Sequence, residues 1–575
     1  MSEDKKKLSP VEKIKSESNY LRGEIAAELA DDKNFFDKDT IQLLKHHGMY
    51  QQDDRDVRKE LKKTGGERAY SMMIRSKIPG GKLTSDQLLA QLELADELGN
   101  STLRITTRQA LQLHSILKKD AVEIVRRINA SQLSTLGACG DVNRNVMCCP
   151  APYHGDPVHR QMQELTDRLA EHLAPQSHAY QEIWLTDPET DEKTLLASGA
   201  QASEIEPIYG KVYLPRKFKI GVALPGDNCI DIHTHDVGLL AICENFEIVG
   251  YNVLVGGGMG VTPSAKKTFP ALSQPMAFVT PDQVLDVVTE VVKVQRDHGN
   301  RSDRKVARLK YLVAEWGVDK FKAKVEEYYG QSLASPRDEE VSGHDDHVGW
   351  FEQGDGRWFY GLNVENGRIK DEGSYRLKSA LREICGTLKP NLRLTAHQGL
   401  VFTDLAADAK DKIDSILASH GVRKHDELST VRRWSMACPA MPTCGLAVTE
   451  SERALPGIMD ELEQELERLD LADEIFTTRM TGCPNGCARP YNSDIGLVGK
   501  TLGKYTILLG GRTQGNRLNT IYQEMVPAED VVKTLVEVFV LFKSERTEGE
   551  SFGDFCHRQG IENLAERLGN TAAAS

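Results

Sequence analysis

The sequence predicts an α/β (α+β) fold of several lobes built by internal duplication, and three observations carry that expectation. At 575 residues the chain is too long for one hydrophobic core, given about 150 residues per domain. It repeats itself: Leu103-Arg-Ile-Thr-Thr-Arg-Gln-Ala-Leu111 returns as Leu392-Arg-Leu-Thr-Ala-His-Gln-Gly-Leu400, an offset of 289 positions (104 to 393). Short β-branched or apolar runs also alternate with segments whose apolar residues recur every three or four positions.

Taken in order, the first 18 residues are charged and lysine-rich and read as a mobile tail. Glu17 to Asp56 mixes aromatics, glycine and paired charges and reads as an extended arm. Ser85–Leu98 and Pro157–Leu173 carry helical periodicity, whereas Arg104–Thr106 and Val253–Val255 read as strands. Pro281–Val294 and Pro527–Phe542 read as helices that open with proline and acidic residues. A second echo matches Asp236-Val-Gly-Leu239 to Asp494-Ile-Gly-Leu497, an offset of 258 (236 to 494). Tyr251–Gly257 matches Tyr505–Gly511 in the same order, which gives two related halves joined near residue 345. The glycines that end these runs read as tight turns. Gln331–His347 lacks any apolar period and reads as a linker, with His344 and His347 in a solvated loop.

A net charge of −13 excludes a typical nucleic-acid-binding protein. No apolar run approaches the ~20 residues of a membrane span, and Met1–Lys7 runs into polar sequence without a signal-peptide pattern. Eleven cysteines, an odd number, point to reduced thiols in the cytoplasm.

Four cysteines stand apart. Cys438-x5-Cys444 and Cys483-x3-Cys487 lie in Pro- and Gly-rich segments separated by 38 residues (444 to 483). Such a set can ligate one cubane iron–sulfur cluster or a structural zinc ion; the five-residue gap favours the cluster. Cys139, Cys148, Cys149, Cys229, Cys243, Cys385 and Cys556 lack comparable pairing and read as packing residues.

The four cysteines, with Thr481-Gly-Cys-Pro-Asn-Gly-Cys487, resemble those of the sirohaem-dependent sulfite and nitrite reductase family. The resemblance runs from Glu17 to about Gly560 and includes Pro79-Gly-Gly81, Asn143-Arg-Asn-Val146, Leu214-Pro-Arg-Lys-Phe-Lys219 and Gly299-Asn-Arg301. Ser18–Gly23, His47–Asp56 and Ser435-Met-Ala-Cys438 point to the haemoprotein component of its bacterial NADPH-dependent branch. Gly137-Ala-Cys-Gly-Asp141 looks more like the ferredoxin-dependent members.

The resemblance implies three lobes with pseudo-two-fold symmetry: an arm at 1–65, ferredoxin-like half-domains at 66–136 and 350–425, a sirohaem and substrate domain with the linker at 137–349, and a cluster domain at 426–575. It implies one 4Fe–4S cluster on Cys438, Cys444, Cys483 and Cys487, with Cys487 also the axial ligand of one sirohaem. Arg75, Arg144, Lys217 and Lys219 then bind sulfite and supply protons. Arg104, Arg108 and Gln112 pair with sirohaem carboxylates, and Asn485 shapes the cysteine loop. The implied reaction is the six-electron reduction of sulfite to sulfide, with nitrite to ammonia as the alternative. An iron–sulfur or zinc interaction subunit without catalysis is the distant one. No Gly-x-Gly-x-x-Gly follows a strand, so electrons come from another protein: a diflavin NADPH reductase docking through the arm, or ferredoxin.

Overall fold

The computed structural model describes residues 7–176, 182–186, 190, 193–198 and 205–569. Its architecture is set by two pairs of sheets, and within each pair the two sheets are the two copies of the duplication. In the first pair, all neighbours run antiparallel. One sheet orders Met49–Asp53, Tyr70–Ser76, Leu111–Ile116, Leu103–Ile105 and Arg368–Ile369. The other orders Gly349–Glu352, Trp358–Leu362, Leu400–Leu405, Asn391–Leu394 and Lys82–Thr84. Each half therefore lends one short edge strand to the other's sheet, and both bury their apolar faces in one shared core that includes Leu88, Ile105, Leu381 and Leu400.

The first repeat is a hairpin whose turn is the same in both copies. Thr106 N–H donates to Ala110 O at 2.8 Å, and Thr395 N–H to Gly399 O at 3.0 Å. Gln109 and Gln398 each take a positive φ, 50° and 67°, a conformation non-glycine residues adopt only when tertiary bonds hold it. Those bonds exist: Gln109 Nε2 donates to Cys148 O and Leu394 O, and Gln398 Nε2 donates to Asn366 O.

The second pair of sheets lies in the other two lobes. Ile220–Ala223 runs parallel to Val237–Glu244, which continues antiparallel through Glu247–Val255 and Gln274–Val279. Thr478–Thr481 runs parallel to Ile495–Thr501, then antiparallel through Lys504–Leu509 and Thr520–Pro527. Ile220 faces Val237 as Thr478 faces Ile495, so the offset of 258 holds rung by rung. Gly256 (φ 89°) and Gly510 (φ 88°) end corresponding strands. A Cβ on Gly257 would meet His233 O at 2.3 Å, and one on Gly511 would meet Ser493 O at 2.1 Å. These glycines are turn and close-packing residues.

Helix Ser85–Leu98 opens with a capping box, Thr84 and Gln87 exchanging side-chain and backbone bonds at 3.2 and 3.0 Å. Pro157–His172 is capped by Asp156. The other two helices begin later than their prolines suggest, at Val284 and Val531, because Pro281 sits in a turn and Pro527 ends a strand.

Two expectations are corrected. Of the N-terminal tail, residues 1–6 lie outside the described residues, but Pro10–Glu17 is built into the body as a helix whose buried Lys15 pairs with Glu12 at 2.6 Å and donates to Leu214 O at 2.8 Å. Within the extended arm, Met49–Asp53 is an edge strand paired with Tyr70–Ile74. The linker is not a solvated loop either, since Val341, Asp346 and His347 are buried and Arg433 holds Asp346 through two bonds of 2.9–3.0 Å. Among the described residues no helix is long and apolar enough to cross a membrane.

Candidate active site

Strands Ser435–Ala437 and Thr478–Thr481 are parallel neighbours, with Ala437 opposite Met480. The loops that follow them therefore leave the same sheet edge, and this brings Cys438 and Cys444 to Cys483 and Cys487. Cys438 N–H donates to Met480 O at 3.2 Å. Sulfur receives donors as well: Gly482 N–H reaches Cys438 Sγ and Asn485 Nδ2 reaches Cys483 Sγ, both at 3.4 Å. Burial pushes the Cys438 thiol up to about 12 and the Cys483 thiol up to about 11, and Cys444 shifts upward too. In all three, Cys487 is the next cause, so the four sulfurs form one electrostatic group. Cys487 itself is exposed.

This donor set fits a cubane cluster. Four thiols can replace four protons with one iron–sulfur group, and N–H groups already point at sulfur. Around a single zinc ion, donors would sit about 3.3–3.8 Å apart, as bonds of about 2.0–2.3 Å require. Among the described residues, the donors that all lie within 4.8 Å of one another belong to a different group.

The first half of the chain touches this loop. Thr107 Oγ1 donates to Cys487 O at 2.9 Å. Arg55 donates to Cys444 O at 3.1 Å and to Ala447 O. The buried guanidinium of Arg104 pairs with Glu452 and donates to Ala437 O at 2.7 Å. Arg368 holds the same carboxylate at 2.6 and 2.9 Å. Arg104 thus braces the strand leading to Cys438, and it shares one carboxylate with Arg368.

The remaining cations form a wall. Register places Arg75 opposite Gln112, and Gln112 opposite Arg104, across three adjacent strands. Arg75 donates to Gln112 Oε1 at 3.3 Å and Cys139 Sγ at 3.2 Å, while its Nε is buried without a partner. Arg108, in the hairpin turn, donates to Asn145 O and also leaves Nε unpartnered. Arg144 lies beside Phe218 through a 2.9 Å backbone bond. Burial opposes its charge, but neighbouring Tyr50 and Cys139 raise its affinity for the proton overall. Lys217 and Lys219 flank buried Phe218 and are themselves half-buried.

Burial and then the nearby Arg308 and Arg216 pull Lys217 down to about 7, with Cys487 acting the other way. Lys219 falls well below the usual lysine range through burial, Arg108 and Lys217. These charges act on one another: Arg144 on Arg108 and Lys217, Arg108 on Lys219, and Cys487 on Lys217. Buried cations of one sign are costly unless an anion completes them.

Sequence reasoning missed Arg216 and Asp236, while the basic run Arg301–Lys310, legible as a source of added contacts or as a charged helix face, contains Arg308. Arg308 pairs with Asp236 at 2.5 Å, and Asp236 accepts the Lys219 N–H at 2.9 Å. The pair fixes the lysine strand. Its signal lay in the conjunction of Asp236, at the start of the second echo, with the basic run Arg301–Lys310.

Fold and site together define a duplicated metalloprotein with a thiol set facing a wall of buried cations. The family profile described as "Nitrite and sulphite reductase 4Fe-4S domain" matches residues 164–333 and 429–574. That of the "Nitrite/Sulfite reductase ferredoxin-like half domain" matches 66–131 and 351–420. The chain is 45% identical over 563 residues to a sulfite reductase [NADPH] hemoprotein beta-component of Staphylococcus haemolyticus, covering 98% of this chain and 97% of that one. It is also 45% identical over 570 residues to a sulfite reductase [ferredoxin] of Synechococcus elongatus, covering 97% and 91%. The solved Mycobacterium tuberculosis NirA protein shares the fold, with a TM-score of 0.78 and 24% identity over 97% of each chain. The chain belongs to the nitrite and sulphite reductase family.

Proposed function

We propose that the chain is the catalytic haemoprotein subunit of an assimilatory sulfite reductase in the cytoplasm. Six electrons and eight protons convert one sulfite dianion to hydrogen sulfide and three waters. The observation that supports the reading is that Lys217, in electrostatic reach of Cys487, and its neighbour Lys219 make no ion pair among the described residues.

Cys438, Cys444, Cys483 and Cys487 would hold a 4Fe–4S cluster, with Asn485 bonding the sulfur of Cys483. Sirohaem, when bound on the Cys487 side, supplies the iron at which the oxyanion is reduced and the coupling to the cluster. Arg104, Arg108 and Gln112 would pair with its carboxylates, and Arg75 would join the substrate-binding cations. Arg144, Lys217 and Lys219 would bind the substrate oxygens. Arginine offers several fixed donors to an oxyanion; lysine offers a compact charge and a transferable proton. Fixed cations stabilise the charge that develops as each S–O bond breaks, and each departing oxygen takes protons and leaves as water.

Electrons come from a diflavin NADPH reductase, with ferredoxin as the other donor; the two named relatives, one of each type, are equally similar. The test is the absorption spectrum and iron content of the purified chain, then sulfite and nitrite turnover with each donor. The proposal expects a red chlorin-type band, about five irons per chain, and a higher kcat/KM for sulfite. A colourless chain, or one that prefers nitrite, contradicts it.

A further inference from the structure

The duplication has a consequence at the cysteines outside the cluster. Met147 stands opposite Gly221 on a parallel rung, as Met436 stands opposite Arg479. With the offset of 258, Gly221 and Arg479 are equivalent positions, so Met147 and Met436 are as well. Met147-Cys-Cys-Pro-Ala151 then aligns with Met436-Ala-Cys-Pro-Ala440, an offset of 289 (147 to 436), the same as in the hairpin repeat. Cys149 takes the place of Cys438. On the other strand, Cys229 takes the place of Cys487 (229 to 487, again 258). The places of Cys444 and Cys483 fall on Gly155 and Pro225, so a four-thiol set cannot form in this copy.

Other donors complete it. Asp227, at the place of Asn485, puts Oδ2 at 2.7 Å from Cys149 Sγ. His347, from the segment joining the two halves, puts Nε2 at 3.2 Å from the same sulfur and 3.0 Å from Asp227 Oδ2. Donor atoms of Cys149, Asp227, Cys229 and His347 all lie within 4.8 Å of one another, and all four residues are buried. Asp227 Oδ1 is held separately by Cys229 N–H at 3.2 Å, leaving Oδ2 for the centre.

We propose that Cys149, Asp227, Cys229 and His347 bind one structural Zn²⁺, a second metal centre that is the pseudo-symmetric counterpart of the iron–sulfur cluster. Two sulfurs, one imidazole and one carboxylate from three separate segments form a closed four-donor set of the kind zinc takes in tetrahedral structural sites. Donor spacings from 2.7 Å up to 4.8 Å bracket the roughly 3.3–3.8 Å edges of such a site, so adjustments of about an ångström seat the ion. Thiolate ligands and the absence of any open position separate it from magnesium, calcium or catalytic sites. The ion would fasten His347, and with it the junction of the halves, onto the second lobe. A clip between residues so distant in sequence stabilises chiefly by closing a long loop.

The test uses the full-length holoenzyme, purified without chelators and analysed for zinc and iron together. The proposal expects about one zinc per chain beyond the iron. Cys487→Ser should lose iron and keep zinc. Cys149→Ser and Cys229→Ser should lose zinc and keep iron. Should those variants not fold, wild-type protein stripped of zinc is titrated with Co²⁺; one equivalent should bind with a thiolate-to-cobalt charge-transfer band. Wild-type protein with iron but without zinc, and with no such band on adding Co²⁺, overturns the proposal. That result means the four side chains form a hydrogen-bonded cluster instead. Zinc lost together with iron in Cys487→Ser overturns it equally.

Discussion

At the edge of the second lobe's sheet stand Lys217 and Lys219; at the equivalent positions of the third lobe stand Ile475 and Thr477. The backbone frame is the same. Lys219 N–H donates to Asp236 Oδ2, and Thr477 N–H to Asp494 Oδ2, both at 2.9 Å. The charges differ. Asp236 is matched by Arg308, which leaves both lysines uncompensated by it. Asp494 is served by the Thr477 and Thr513 hydroxyls, and burial pushes its carboxyl upward. Of the cations the third lobe buries, Arg479 and Arg489 share Asp231 at 2.8 and 2.5 Å, and Arg432 pairs with Glu365, Asp460 and Glu463. One copy holds positive charge in reserve for a ligand, and the other spends it on the protein. A duplicated frame becomes a binding site where its cations lack partners.

Four experiments break or sharpen that comparison. The largest effect belongs to Cys487→Ser, which should abolish sulfite turnover and the chlorin-type spectrum, while Cys229→Ser at the equivalent place keeps both. Equal loss in the two variants would erase the distinction between the copies. Asp231→Asn comes next, because it leaves two buried guanidinium groups unmatched. Denaturant unfolding should show about 3–5 kcal/mol less stability. An unchanged midpoint would mean those arginines do not depend on Asp231.

Lys217→Met should lower kcat/KM for sulfite by about 10²–10³-fold, the scale of one lost group that stabilises developing charge, with iron content unchanged. Full activity would show that the reserve of charge is not used. The smallest effect is in pH. Lys217 is pulled down to about 7 by burial and neighbouring arginines, and bound cofactor carboxylates would raise it. The cationic form binds the oxyanion, so kcat/KM should fall as pH rises through that value, by at most about tenfold per unit. Lys217→Arg, whose charge does not titrate in this range, should remove that limb. A limb that persists would belong to another group.

Much of this was legible in the sequence, and the gaps have physical causes. The hairpin repeat and the second echo reveal the duplicated sheets, because turn geometry and strand register constrain side chains locally. The grouping of Cys438 with Cys444 and of Cys483 with Cys487 is legible for the same reason: each pair sits in one loop. The contact of Arg104 with Glu452 was not, since the two lie 348 residues apart in sequence. His347 read as solvated loop because no apolar period marks its segment, yet it is buried against Cys149 and Asp227. The Met147–Ala151 echo of Met436–Ala440 was in plain sight at the offset of 289. Two adjacent cysteines, Cys148 and Cys149, masked it, since such a pair does not suggest a shared ion. The tail was misjudged because charge suggests exposure, whereas Lys15 is buried with carboxylates around it.

Anomalous X-ray diffraction from crystals of the purified holoenzyme, recorded at the iron edge, tests the central claim most directly. Iron density bonded to Cys487 Sγ and facing Lys217 and Lys219 is the predicted result. Iron density remote from Cys487, or on the far side of that sulfur from the two lysines, would contradict it.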